Sequence, residues 1–245
     1  MPTPAPTPAP NPGDTEPVSR RARPAKPPLT RAGIVAAAVD VLDAEGIDGL
    51  TMRKLAQALD TAAGSLYVYF ANRDDLLIAA YDQVLGELPL PDPDAERTDW
   101  RGQLTELLLR AVTVVGRHGG IARVALGTIP TGPNALAFGE AVLGLLARGG
   151  VGDQPAAWAL DLLTLYVNAA ALEHSTYLRR DGDEQSVVAT LHATYAALPA
   201  ERYPHIHRLR ETLVTGDGDE RARWFLDTML DGMLTAQHRT GVRPT

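Results

Sequence analysis

Apolar residues recur along this chain at intervals of three and four, and no stretch of strand-like alternation competes with them. Ile34, Ala38, Val41 and Leu42 share one side of a helix over about 31–45, with Thr30 placed to cap it, Leu29 to staple against Ile34 and Gly46 to stop it. The device repeats at Leu50-Thr51. There Thr51 caps, Leu50 faces Leu55, and Met52, Leu55, Ala56 and Leu59 follow the i, i+3, i+4, i+7 template of a second helix over about 52–59. After a break at Asp60-Thr61, a third helix is expected from Ala62 to Phe70 with Ala63, Leu66 and Phe70 on one face. Asn72 caps a fourth, with Asp75 three positions on.

Pro89, Pro91 and Pro93 interrupt this series. The pattern resumes from Asp99 to about Arg117 through Leu104, Leu107, Leu108, Ala111 and Val115, and further helices are predicted over 121–127, 134–148, 155–179, 184–198, 204–214 and 219–238. The fold class is therefore all-α, with an N-terminal helical domain over 29–88 and a helical C-terminal domain over 94–240.

Composition supports this reading. Apolar residues make up 45% and charged residues 22%, near the globular average, while aromatics reach only 5%, so helices pack through small and aliphatic side chains. The absence of cysteine removes disulfides, thiolate metal sites and cysteine nucleophiles from consideration and suits a reducing cytosol. The start MPTPAPTPAP lacks a cationic and an apolar segment, and no run reaches 18 uninterrupted apolar residues; neither a signal peptide nor a spanning helix nor a membrane partner is expected, and a cytoplasmic location is. A net charge of −7 argues against wholesale coating of nucleic acid, so any such contact must be local.

Residues 1–28 hold ten of the nineteen prolines and are expected to form a disordered, Pro-rich basic tail. Arg20, Arg21, Arg23 and Lys26 form a basic run that Arg31 extends. Two readings stand: a solubilising leader, or an arm that reaches phosphates or an A·T-rich minor groove.

Two short helices joined by a tight turn and braced by a longer first helix make the arrangement that puts a recognition helix into a DNA major groove. With Leu66 as the core direction and about 100° per residue, Thr61, Gly64, Ser65 and Val68 point outward, flanked by Tyr67 and Tyr69. No charge occurs from Thr61 to Ala71. Small groups allow close approach to base edges and phenols can donate to phosphates, whereas an ordinary solvated face carries charge. The bland reading of the two tyrosines is packing against the neighbouring helices.

The stretch from Leu29 to about Leu85, above all GIDGLTMRKLAQALDTAAGSLYVYFANRDDLL (residues 46–77), resembles the DNA-binding domain of the tetracycline-repressor (TetR) family of bacterial transcriptional regulators. The likeness lies in the Gly-x-x-Gly-Leu-Thr lead-in to the second helix, the Leu-Tyr-x-Tyr-Phe end of the third and the Asn-Arg-Asp-Asp-Leu-Leu start of the fourth. The resemblance implies a helix-turn-helix three-helix domain followed by a helical ligand-binding and dimerisation domain. It further implies a homodimer on palindromic double-stranded operator DNA, released by a small-molecule inducer. Carried over by position, it makes Thr51 and Arg73 phosphate contacts, Arg53 a base or backbone contact, Thr61, Ala62, Ala63, Gly64, Ser65 and Tyr67 the recognition stretch, and Tyr69 a backbone contact. Arg53 is then the sole ionised side chain expected to reach bases, so readout would rest on apolar groups, hydroxyls and DNA shape.

In the C-terminal region the segment 155–179 is apolar nearly all round, as expected for a helix buried against its own domain and a partner copy. Asp161, Thr164, Asn168 and Ser175 form a polar stripe on it, which either lines a pocket or faces water. The segment from Ala222 to Leu234 carries more apolar width than one domain needs, and these two helices are the expected dimer interface. Leu126-Gly127-Thr128-Ile129-Pro130 and Ala171-Leu172-Glu173 resemble segments that surround the drug in the tetracycline-binding branch; Ala125 occupies the position of that branch's metal-binding histidine. The expected ligand set is Thr128, Asp161, Thr164, Asn168 and Glu173. The histidines lack metal-ligand spacing, GDGDE (216–220) reads as a turn, and no P-loop, dinucleotide fingerprint or nucleophile elbow occurs. No catalytic residue, metal or cofactor is expected. The competing reading is a helical ligand-binding protein or enzyme with a vestigial DNA-binding motif.

Overall fold

The computed structural model describes residues 28–92, 99–179 and 184–240, without the side chains of 177–179, 184–185 and 236–240. The basic run and the proline tail lie outside the described residues. From Arg31 onward the chain clusters as one unit.

Helix α1 spans Arg31–Gly49 and buries Ile34, Val35, Ala38, Val39 and Leu42. Gly46 interrupts it at φ +74°, a left-handed conformation that glycine adopts without a Cβ penalty, so the predicted stop appears as a kink followed by one last turn. The Thr51 side chain accepts from the Lys54 N–H at 3.1 Å and starts α2 (Met52–Ala58). Helix α3 is only Ala63–Leu66. The nine-residue rod expected from Ala62 to Phe70 is thus too long. Ala62 offers no capping oxygen, and Tyr67, Val68, Tyr69 and Phe70 are poor helix formers, so the chain continues as turns in which the Tyr69 and Phe70 N–H groups both donate to the Leu66 carbonyl. Asn72 then caps α4 (Arg73–Leu85) by accepting from the Asp75 N–H at 2.8 Å.

Asp99 caps α5 (Trp100–Arg117) by accepting from Gly102 N–H at 2.8 Å. There follow α6 (Gly119–Ala125), α7 (Pro133–Arg148), α8 (Asp153–Arg179), α9 (Glu184–Ala196), α10 (Pro204–Leu209), a 3₁₀ turn (Thr212–Val214) and α11 (Gly218–Thr240). The single helix predicted over 204–214 is broken in two. Neither piece buries a side chain, and a short helix without a buried face has little to hold it.

The core lies where α5 and α8 run against each other, with α7 and α11 completing the walls: Leu104, Leu108, Val142, Leu145, Leu146, Leu163, Leu226 and Leu230 are each at most 1% exposed. Full burial of one such side chain is worth about 1.5–3 kcal/mol. The widest packing of the N-terminal helices onto the rest is α1 on α6. Gly120 makes it possible, because a Cβ there would overlap the Leu42 backbone carbonyl.

Among the described residues one helical stretch, Asp153–Thr176 of α8, has the length and composition of a membrane span, although it contains no 18-residue uninterrupted apolar run. Its apolarity is divided between two faces. Ala156, Ala159, Leu163, Val167 and Ala171 are buried in the core, while Trp158, Leu162 and Leu165 are 65%, 54% and 57% exposed. On α11, Ala222, Leu226 and Leu230 point inward and Trp224 is 70% exposed.

Candidate nucleic-acid interface and ligand cavity

Leu66 and Phe70 are buried and fasten α3 and its following turns to the N-terminal helices. The outward direction derived from Leu66 holds for Gly64 and Val68, which are exposed together with Tyr67 and Ala62, but not fully for Thr61 and Ser65, which are half-buried like Ala63 and Tyr69. Tyr67 stands 54% exposed, which sets aside the packing reading for that ring. Val68 is 81% exposed and places a methyl-bearing side chain on this face, outside the carried-over set. The Arg31 guanidinium lies over the Phe70 ring, 4.4 Å from its centroid.

Thr51 and Arg53 are exposed at the start of α2, and Lys54 pairs with Glu45. Arg73 differs from a simple surface cation. Its Nε donates to the Leu50 carbonyl at 2.8 Å and its Nη2 to the Ile47 carbonyl, so the side chain braces the kinked end of α1 against α4. Behind this, His118 joins three segments, its Nδ1 2.6 Å from Asp43 Oδ2 on α1 and its Nε2 3.6 Å from Glu87 Oε1 just past α4.

The five expected ligand residues do not line one space. Asp161 and Thr164 border a cavity of about 420 Å³ with Tyr81, Leu85, Pro130, Leu136, Phe138 and Leu160. Glu173 borders a separate cavity of about 470 Å³, together with His174, Trp224 and the Tyr166–Phe225 pair, whose rings stack at 4.6 Å. Thr128 donates its hydroxyl to the Val124 carbonyl at 2.8 Å, and Ser175 donates to Leu172 at 2.7 Å. Asn168 is buried, accepting from the Tyr81 hydroxyl at 2.9 Å and donating to the Ala125 carbonyl at 3.1 Å. The stripe therefore neither faces water as a whole nor lines a pocket as a whole. Helical spacing tells which residues share a face, and the elements packed on that face divide it.

Burial raises the Tyr81 phenol to about 12, opposed by its hydrogen bond to Asn168. The Tyr166 phenol is raised too, first by burial and then by Glu173 and Asp219 nearby. Among the described residues no group of three or more His, Asp or Glu side chains is arranged to hold a metal ion.

Two consecutive residues of α4 were not singled out by sequence. Tyr81 reaches α8, and Asp82 reaches α7, where its Oδ1 accepts from the Ala135 N–H at 2.9 Å. The only sequence signal for Asp82 is an acid at a position of α4 that turns toward the core.

Residues 34–80 match the family described as "Bacterial regulatory proteins, tetR family", and residues 92–237 match "Tetracyclin repressor-like, C-terminal domain". The transcriptional repressor DrrR1 of Streptomyces coeruleorubidus is 32% identical over 228 residues, covering 90% of this chain and 83% of the relative. An HTH-type transcriptional regulator of Saccharopolyspora erythraea is 35% identical over 177 residues, covering 71% of this chain and 74% of its own. The crystal structure of ActR from Streptomyces coelicolor in complex with actinorhodin is similar at a TM-score of 0.75 and 36% identity, covering 86% of this chain and 99% of ActR.

Proposed function

The chain belongs to the TetR family of bacterial regulatory proteins, DNA-binding transcriptional regulators with a helix-turn-helix, and on that premise we propose that it is a homodimeric, ligand-released repressor of a palindromic operator. The observation that carries this reading is the face formed by α3 and the turns after it: uncharged, anchored from behind by buried Leu66 and Phe70, and left open at Gly64, Tyr67 and Val68. Small groups and one methyl-bearing side chain suit the major groove, where thymine methyls and base edges are read. Thr51, Tyr69 and Arg73 then hold the phosphates, Arg53 reaches a base or the backbone, and Thr61 to Ser65 with Tyr67 approach the bases.

The outward apolar residues Trp158, Leu162 and Leu165 of α8 and Trp224 of α11 support dimerisation through these two helices. A dimer places two recognition helices at successive major grooves about 34 Å apart. The 420 Å³ cavity is of a size that suits a small molecule, with a mostly apolar wall and polar groups at Asp161, Thr164 and Tyr81. ActR is bound to actinorhodin in its crystal structure, and actinorhodin is the first candidate to try on this cavity. Such a ligand releases DNA only if it binds the DNA-incompatible spacing more tightly. A cytoplasmic site of action follows from this role. The relatives are regulators rather than enzymes, and no enzymatic step is assigned here.

Selection of bound duplexes from a random-sequence pool tests the reading. Enrichment of a two-fold symmetric sequence, lost on Tyr67→Ala, is expected; absence of any enriched duplex overturns it. Gel shifts of the enriched duplex against actinorhodin then test the ligand class.

A further inference from the structure

Helix α7 begins at Pro133 after Gly132, and no side chain of its own caps it. The first-turn N–H groups of a helix have no internal partners, so an unsupplied N-terminus frays. Here the acceptor comes from another helix. Asp82 of α4, 8% exposed, accepts from the Ala135 N–H at 2.9 Å, and Asn134 Nδ2 donates to both the Asp82 carbonyl at 3.0 Å and its carboxylate at 3.2 Å. A Cβ on Gly132 would overlap the Asp82 carboxylate, so the loop before α7 is bare where α4 enters it.

This joint lies between two functional ends of the molecule. Pro130, Ala135, Leu136 and Phe138, which flank and form the start of α7, wall the 420 Å³ cavity. Arg73, at the other end of α4, holds the α1–α2 junction through Ile47 and Leu50, next to the DNA-facing elements. We propose that Asp82 is a positioning residue for the ligand response: its carboxylate makes the first turn of α7 and the α4 helix move as one piece, so that the state of the cavity is passed to the DNA-binding helices. The proposal rests on the regulator reading above. A negative charge is well suited to the role, because it is attracted by the positive end of the α7 dipole as well as by individual N–H groups.

Cap and coupling can be separated. Gly132 has φ −75° and ψ 163°, extended geometry open to any residue and normal for an N-cap. In the double variant Asp82→Ala/Gly132→Asp, α7 receives its own cap; the overlapping carboxylate is gone, but the Cβ of residue 82 stays 2.7 Å from the new Cβ, so the loop before α7 must shift by several tenths of an ångström to admit it. The probe is the duplex enriched by the unmodified full-length protein, and the readout is hydrogen–deuterium exchange of the peptide holding the Asn134, Ala135 and Leu136 amides, with and without that duplex. By reciprocity of linkage, DNA should change exchange there by roughly 5-fold or more in the unmodified protein. Asp82→Ala should accelerate exchange in the free protein by roughly 5-fold as the cap is lost. The double variant should restore the slow exchange and still bind the duplex, yet lose the DNA-dependent change.

A double variant that keeps the full DNA-dependent change overturns the proposal, as does an unmodified protein in which DNA leaves the α7 amides unaltered. Failure to enrich any duplex is a different result, because it removes the regulator reading and this inference with it. If the double variant proves too unstable, Asp82→Asn, which keeps the shape and one acceptor but not the charge, should show a weakened DNA-dependent change at unaltered melting temperature to within a few degrees. An unweakened change there counts against the role.

Discussion

Tyr81 and Asn168, 87 positions apart, meet through one buried hydrogen bond in which the phenol donates to the amide oxygen at 2.9 Å. The amide nitrogen in turn donates to the Ala125 carbonyl at the end of α6, so three helices are tied by one side-chain amide. Replacing Asn168 by Leu conserves bulk but leaves a buried hydroxyl and a buried carbonyl without their partner. Each orphaned group costs about 1–3 kcal/mol, and a clear fall in thermal midpoint is expected by calorimetry. Tyr81→Phe orphans the amide oxygen only and should cost less.

Burial of the same phenol sets an alkaline limit on stability. Tyr81 titrates near 12 in the folded chain against about 10 when unfolded. A raised phenol favours the protonated form in the fold, so its contribution is fully present below about pH 10 and is lost as pH rises toward 12, where the unfolded chain ionises first. Urea midpoints should be flat with respect to this group up to about pH 9.5 and fall above pH 10. Tyr81→Phe should lessen the fall without abolishing it, since Tyr166 is shifted in the same direction. An unchanged slope in Tyr81→Phe would show that the phenol ionises freely in the native state.

Local signals were legible in sequence and long-range acceptors were not. Thr51 and Asn72 cap as read because cap and capped N–H lie three residues apart. Leu66 gave the orientation of α3 because one buried residue fixes the phase of a short helix. Arg73 was read as a phosphate contact, yet the Ile47 and Leu50 carbonyls it holds come within reach only after Gly46 has turned the chain. Asp82 meets α7 across 53 residues, a separation at which periodicity carries no information. For the ligand set, the stripe on α8 was drawn from one helix alone: Asp161 and Thr164 border one cavity, Asn168 is taken up by Tyr81 and Ala125, and Glu173, off that stripe, borders another cavity beside α11.

Gly120→Ala should test how closely the DNA-binding helices are seated on α6. The added methyl would overlap backbone at Leu42, which cannot rotate aside as a flexible side chain can. Overpacking of this kind costs about 1–3 kcal/mol, and here the strain falls on the widest packing between the N-terminal helices and the rest. A lowered melting temperature is expected, together with weaker affinity for the enriched duplex. Wild-type values for both would mean that α1 and α6 can separate without consequence.

Arg53 and Arg73 should separate by the measurements they affect. Arg53 is exposed at the start of α2, so Arg53→Ala should leave the melting temperature within about a degree, the usual insensitivity of surface sites. It should reduce the slope of log affinity against log salt by about one, the signature of one lost phosphate contact. Arg73→Ala should do both. It removes the donors that satisfy the Leu50 and Ile47 carbonyls, at about 1–3 kcal/mol, and it removes a positive charge beside the DNA-facing elements. Arg73→Lys distinguishes the two effects, because an ammonium keeps the charge but cannot reproduce the planar fork that serves two carbonyls at once. Lysine should therefore recover most of the salt slope and little of the stability. Full recovery of stability by lysine would show that charge alone, and not the paired hydrogen bonds, holds the kinked end of α1 in place.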